Sequence, residues 1–153
     1  MPFQGLALLV PLVFSWVVTC EAAEPLQIQA VNVRMFLQYS GEFSPSLAEK
    51  EVLWNVVAGG GDISEPASAA LVDVIVAGKE NELIAQKDVQ LIVKSGHTGK
   101  VLIRGSERLG IFNSSGETHV GFWLPSVGCE SLIVVASIGK SSKIVTLPFK
   151  CGE

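Results

Sequence analysis

Between Gly116 and Cys151 the chain reads GETHVGFWLPSVGCESLIVVASIGKSSKIVTLPFKC, and no other stretch restricts the fold as much. In its second half, Leu132, Val134, Ala136 and Ile138 are all apolar, as are Val145, Leu147 and Phe149 beyond a turn at 139–142. Successive side chains of a strand point to opposite faces, so each set marks one buried face. Pairing Ile138 with Lys143 sets Ala136 opposite Val145, Val134 opposite Leu147 and Leu132 opposite Phe149. Every apolar pair then falls on the same side, as a stable register requires. An antiparallel hairpin buried on one face is therefore expected here.

At the other end, Leu6–Val18 is an apolar run of 13 residues, too short for a spanning helix. Cys20 and Ala22 place small residues three and one before a cut after Ala22, so residues 1–22 read as an export signal. Met1–Gly5 contains no Lys or Arg, a departure from standard signals. Acylation of Cys20 ranks second, because Thr19 directly before the cysteine fits lipoprotein signals poorly. The remaining chain, from Ala23, carries 14 acids against 11 Lys and Arg. That balance offers no basic patch for nucleic acid, and no transmembrane segment is expected after the cut. Two cysteines remain, Cys129 and Cys151, and in an exported chain they are expected to form a disulfide. The hairpin register puts Cys151 opposite Glu130, so a one-residue bulge near Glu130–Ser131 is expected to bring the sulfurs to one side.

The alternation recurs upstream. Val72, Val74 and Val76 alternate with Asp73 and Ile75, and Val89, Leu91 and Val93 with Gln90, Ile92 and Lys94. A strand at Val101–Ile103 is expected to break at Gly105, and Leu109–Phe112 is expected to form another. Val120, Phe122 and Leu124 mark an inward face, which turns His119, Gly121 and Trp123 outward. Leu26–Tyr39 is strand-like, with Ile28, Ala30 and Asn32 on one face and Val31, Val33 and Met35 on the other. Ser46-Leu47-Ala48-Glu49 has the form of a capping box and predicts a short helix to about Leu53. A glycine-rich loop, Ala58–Pro66, follows Trp54. Short, regularly spaced strands with Gly-rich turns predict an all-β sandwich of seven to eight strands. Residues 23–69 are expected to form an N-terminal strand, helix and loop segment that packs on a core made by 70–153.

From Ala70 onward, VDVIVAG, DVQLIVKSG, NSSGETHVGFWL and the closing ESLIVVASIGKSSKIVTLPF resemble the bacterial immunoglobulin-like domains of the invasin and intimin type. The resemblance covers about 80 residues and implies an immunoglobulin-like sandwich with an adhesive or structural role. Those domains stand in tandem arrays, whereas this chain holds one copy, and residues 24–68 have no counterpart in the pattern.

The sequence carries no recognisable catalytic or metal signature. His97 and His119 are 22 positions apart without ligand spacing, and Met35 is the one methionine after Met1. Gly96-His97-Thr98-Gly99-Lys100 lacks the spacing of a phosphate loop, and there is no G-x-S-x-G elbow. The reading is non-enzymatic, without cofactor or metal. What remains as candidate binding surface is Trp54 with Gly59, Gly60, Gly61 and Asp62, and His119 with Trp123. Large aromatics usually fill cores, so both tryptophans are expected to be packed. Trp123's strand is expected to share a sheet with the closing hairpin, where Ile133, Val135 and Ile144 would join it on the outer face. The Leu26–Val57 segment would cover that face, leaving the glycine loop as binding surface. A partner would be a protein or a cell-surface glycan. Three functions are weighed: an adhesion-type binding module, an accessory subunit of an envelope complex, and, third, an enzyme. An exposed Trp123 favours the first, an unpaired strand edge the second and converging acids the third.

Overall fold

The computed structural model describes residues 25–151 and is all β, with no helix among them. The export signal, its cut before Ala23 and Cys20 lie outside the described residues. Nine strands occur in order: β1 (Gln27–Phe36), β2 (Leu53–Trp54), β3 (Ala69–Ala77), β4 (Asp88–Ser95), β5 (Val101–Arg108), β6 (Glu117–Leu124), β7 (Leu132–Ile138), β8 (Ser141–Leu147) and β9 (Phe149–Lys150). The seven longer ones make an immunoglobulin-like sandwich, with a sheet in the order β1-β3-β6 against one in the order β5-β4-β7-β8. The two-residue strands β2 and β9 pair in parallel as a separate ribbon.

The expected inward faces are the observed ones. Val72, Val74 and Val76 from β3, Val89, Leu91 and Val93 from β4, and Val120, Phe122 and Leu124 from β6 are buried in one core. Leu132, Val134, Ala136 and Ile138 complete it from β7. In β1 the strict alternation fails, because Ile28 is buried together with Val31, Val33 and Met35. A bulge between Ile28 and Ala30 inserts one residue and resets which side chains face inward.

The closing hairpin keeps the expected face in a different register. Leu132 faces Leu147, Val134 faces Val145, and Ile138 faces Ser141, a shift of two residues from the expected pairing. Only Gly139 and Lys140 form the turn, with a positive φ of 55° at Gly139 and none at Lys140. Glycine at the first central position and a two-residue loop are what a type II′ hairpin demands, and its twist matches the flanking strands. Because the shift is even, no side chain changes face.

The disulfide between Cys129 and Cys151 is present, with the Cα atoms 5.3 Å apart. No bulge makes it. β8 stops at Leu147 because Pro148 has no N–H for the ladder, and its carbonyl instead accepts from the Leu53 amide at 3.1 Å. Phe149 and Lys150 then pair with Leu53 and Trp54, so both cysteines stand outside the β7–β8 ladder.

Three further expectations are corrected. Residues 46–52 form no helix: the amides of Ser44 and Leu47 donate to the Met35 and Val33 carbonyls at 2.9 and 2.8 Å. So short a helix is marginal by itself, and the segment makes its bonds along β1 instead. β5 does not break at Gly105, whose missing Cβ lets the strand lie against the Phe122 ring, where a Cβ would come within 2.8 Å. Leu109–Phe112 is not a strand. Leu109 and Phe112 are buried, and Ile111 makes a single bridge to Leu83.

Candidate functional site

β6 pairs with β3 and not with the closing hairpin, which lies in the opposite sheet. Trp123 is therefore separated from Ile133, Val135 and Ile144, and the expected common face does not exist. The N-terminal segment does not cover Trp123 either, which is 50% exposed. The physical reason is that β1 spends residues 27–36 as an edge strand of the same sheet, so it lies beside Trp123 and not across it.

What β1 does supply is company. Phe36, at its end, bridges to Phe43, and the intervening residues form a tight turn with Gly41 at a φ of 72°. The Phe36 ring lies edge-on to Phe43 at 5.7 Å and to Trp123 at 5.9 Å, and Phe43 stands 6.5 Å from Trp123. Three aromatic rings thus meet mutually edge to face, the favoured arrangement of their quadrupoles. Phe36 lies opposite Ala69, whose methyl leaves the ring room to cross toward Trp123.

The turn that carries Phe43 is fixed from behind. The Glu65 carboxylate accepts from the amides of Tyr39 and Ser40 at 2.9 and 2.8 Å, and the Gln38 amide donates to the Pro66 carbonyl at 3.0 Å. Bonds from Ser40, its amide foremost and then its hydroxyl, and from the Tyr39 amide hold the Glu65 carboxyl below its usual range, against a smaller opposing effect of burial.

Rows across the sheet set the rest of the face. Arg34, Leu71 and Trp123 form one row, and Asn32, Asp73 and Gly121 the next. His119 Nδ1 lies 2.9 and 3.1 Å from the two Asp73 oxygens, so this acid is engaged one row above the aromatics. Gly121, without a side chain, leaves a step between the tryptophan and that pair. The surface is an aromatic platform bordered by a cation, an amide and a His–Asp pair. The outer edge of β6 has no strand partner among the described residues.

The other candidates gather elsewhere, around β2. Trp54 is also exposed, at 48%, with the Lys150 ammonium 5.7 Å from its ring centroid. Its amide donates to Asp62 at 2.6 Å, and the Asp62 amide donates to the Trp54 carbonyl at 3.2 Å. Gly59 and Gly60 have φ of 76° and 77°, and a Cβ on Gly61 would run into the Trp54 carbonyl. Those glycines are thus required by the path of the loop, which Val56, Ile63 and Ala67 anchor in the core. The expectation that both tryptophans are packed is overturned.

Arg34, Phe43 and Leu71 escaped the sequence reading, and Phe36 and Asp73 entered it only as strand residues, not as parts of a site. A usable signal was there: the turn residues of Gln38-Tyr39-Ser40-Gly41 between two phenylalanines mark a small hairpin. Among the described residues, no three His, Cys, Asp or Glu side chains gather as a metal site would need, and no helix is long and apolar enough to cross a membrane. No protein-family model matches the chain, and no curated protein matches it either.

Proposed function

We propose that the chain is an exported, non-enzymatic binding module of adhesion type, whose partner surface is the outer face of the β1-β3-β6 sheet around Trp123. The observation that carries this is the half-exposed Trp123 held edge-on by Phe36 and Phe43. A large apolar surface left in water on an otherwise core-forming strand marks a contact site. Tryptophan is suited to one, because it offers a wide rigid face with few torsions to freeze. The partner is a protein or a cell-surface glycan: sugar rings stack on such platforms, and Arg34 and Asn32 border this one.

The test is binding to a panel of cell-surface glycans and purified envelope proteins by wild type and Trp123→Ala. Saturable binding that drops at least ten-fold in the variant, with an unchanged circular dichroism spectrum, supports the proposal. Equal binding by both proteins refutes it. A second reading, an accessory subunit of an envelope complex, draws on the unpaired edge of β6, which could accept a partner's strand. Protection of alternate β6 amides from hydrogen exchange upon complex formation would select that reading.

A further inference from the structure

A second feature lies away from Trp123, where the chain enters β1. Pro25 and Leu26, Ile84 and Lys87 before β4, and the β7–β8 turn with Ile138 and Lys140 line a cleft of about 700 Å³. That volume is within the range of small-molecule sites, which are mostly apolar with a few placed polar groups. Its frame is held: the Ile28 amide donates to the Ser141 hydroxyl oxygen at 2.9 Å, and the Lys87 carbonyl accepts from the Leu109 amide at 2.9 Å. Ile138 is buried at the floor.

The charge at this cleft is one-sided. Among the described residues Lys87 and Lys140 both line it, no acid does, and neither lysine makes an ion pair. The chain as a whole is acidic, with a net charge of −4, so this pair of cations is a local departure and not part of a basic surface. Apolar walls with cations and no acid are complementary to one chemistry, an aliphatic tail ending in an anion. We infer that this cleft binds the free anion of a medium-chain fatty acid, with the tail on Leu26, Ile84 and Ile138 and the carboxylate between Lys87 and Lys140. The site is independent of the Trp123 face and does not rest on that surface's proposed role.

Titration calorimetry of the purified protein with dodecanoate below its micellar range tests it, with amide NMR shifts locating the contact. The expected result is saturable one-to-one binding, with shifts concentrated at Leu26, Ile84 and Ile138. Decanoate, two methylenes shorter, should bind roughly ten-fold more weakly. Lys87→Glu with Lys140→Glu should weaken dodecanoate at least ten-fold, and dodecyltrimethylammonium should bind wild type more weakly than dodecanoate does. Trp123→Ala should bind dodecanoate as wild type does. Absence of saturable binding, equal affinity for the cationic amphiphile, indifference to chain length or shifts centred elsewhere would each overturn the inference. So would association with anionic phospholipid vesicles without binding of the free acid. Both lysines are surface residues, and the wild-type shift map decides even where the double variant folds poorly.

Discussion

Replacing Cys129 and Cys151 by serine removes a cross-link between residues 22 positions apart. In the chain-entropy model, closing about 22 residues restricts the unfolded chain by about 3 kcal/mol at 25 °C. The loop contains the whole β7–β8 hairpin, and its closing end is the tail that pairs with β2. Phe149 and Leu53 are buried in that pairing, so the native tail has its own anchors and the bond acts chiefly on the unfolded state. The double variant is therefore expected to fold to the same structure and lose about 3 kcal/mol in urea unfolding. Its slope m should rise, because the freed denatured chain exposes more surface. The melting temperature should fall by on the order of 10 °C. Native-state hydrogen exchange adds a local reading. The amides of Leu53 and Asn55, which donate to the Pro148 and Lys150 carbonyls at 3.1 and 3.0 Å, should exchange faster than those of β4. A loss below about 1 kcal/mol with m unchanged would refute the reasoning, since the cross-link would then not be restraining the unfolded chain as the model requires.

Gly105→Ala places a Cβ within 2.8 Å of the Phe122 ring and should cost about 1–3 kcal/mol, while Gly121→Ala, whose Cβ would lie 3.4 Å from Leu71, should change the urea midpoint little. Equal midpoints for the two variants would show that Phe122 has room to yield. Glu65 is held below its usual range in the folded state, so its contribution is present above the ordinary glutamate range and is lost as pH falls through the lowered value. Glu65→Gln should therefore melt below wild type at neutral pH, with the gap closing in acid; a gap that is constant with pH would contradict this. Intact-mass measurement of protein recovered from the exported fraction should give a chain beginning at Ala23, give or take one residue. A mass retaining Met1, or a lipid on Cys20, would defeat the reading of a soluble, secreted chain.

The parity of the strands was legible because it depends only on which residues avoid water. Val72, Val74 and Val76 or Val120, Phe122 and Leu124 declare their inward face without reference to any partner. Which strand lies beside which was not, since pairing depends on residues distant in the chain. The sequence neighbour of β6 is the closing hairpin, yet β6 pairs with β3, 40 or more residues earlier. The disulfide followed from the cysteine count and the expectation of export, but its geometry followed from Pro148, whose missing N–H ends one ladder and leaves the chain to β2. The hairpin register was misjudged by two because face matching cannot distinguish even shifts. Gly139, through its positive φ, decides between them.

The candidate site follows from the same division. Outward parity placed His119 and Trp123 on one face of β6, and that much needed no structure. Their significance depends on β3 being the neighbour, because only then does Asp73 meet His119 and Leu71 lie next to Trp123. It depends as well on β1 being the far edge of the sheet, since that delivers Phe36, and through the 37–42 turn Phe43, to the exposed indole. A segment that had crossed the sheet would have buried these rings and removed the surface. A segment that joins its edge enlarges it. The role of residues 27–43 is thus inverted from cover to contributor, and Phe36→Ala or Phe43→Ala should weaken partner binding alongside Trp123→Ala, each by less than the tryptophan. Should the two phenylalanine variants bind as wild type does while Trp123→Ala does not, the platform would reduce to a single residue and β1 would have no part in it.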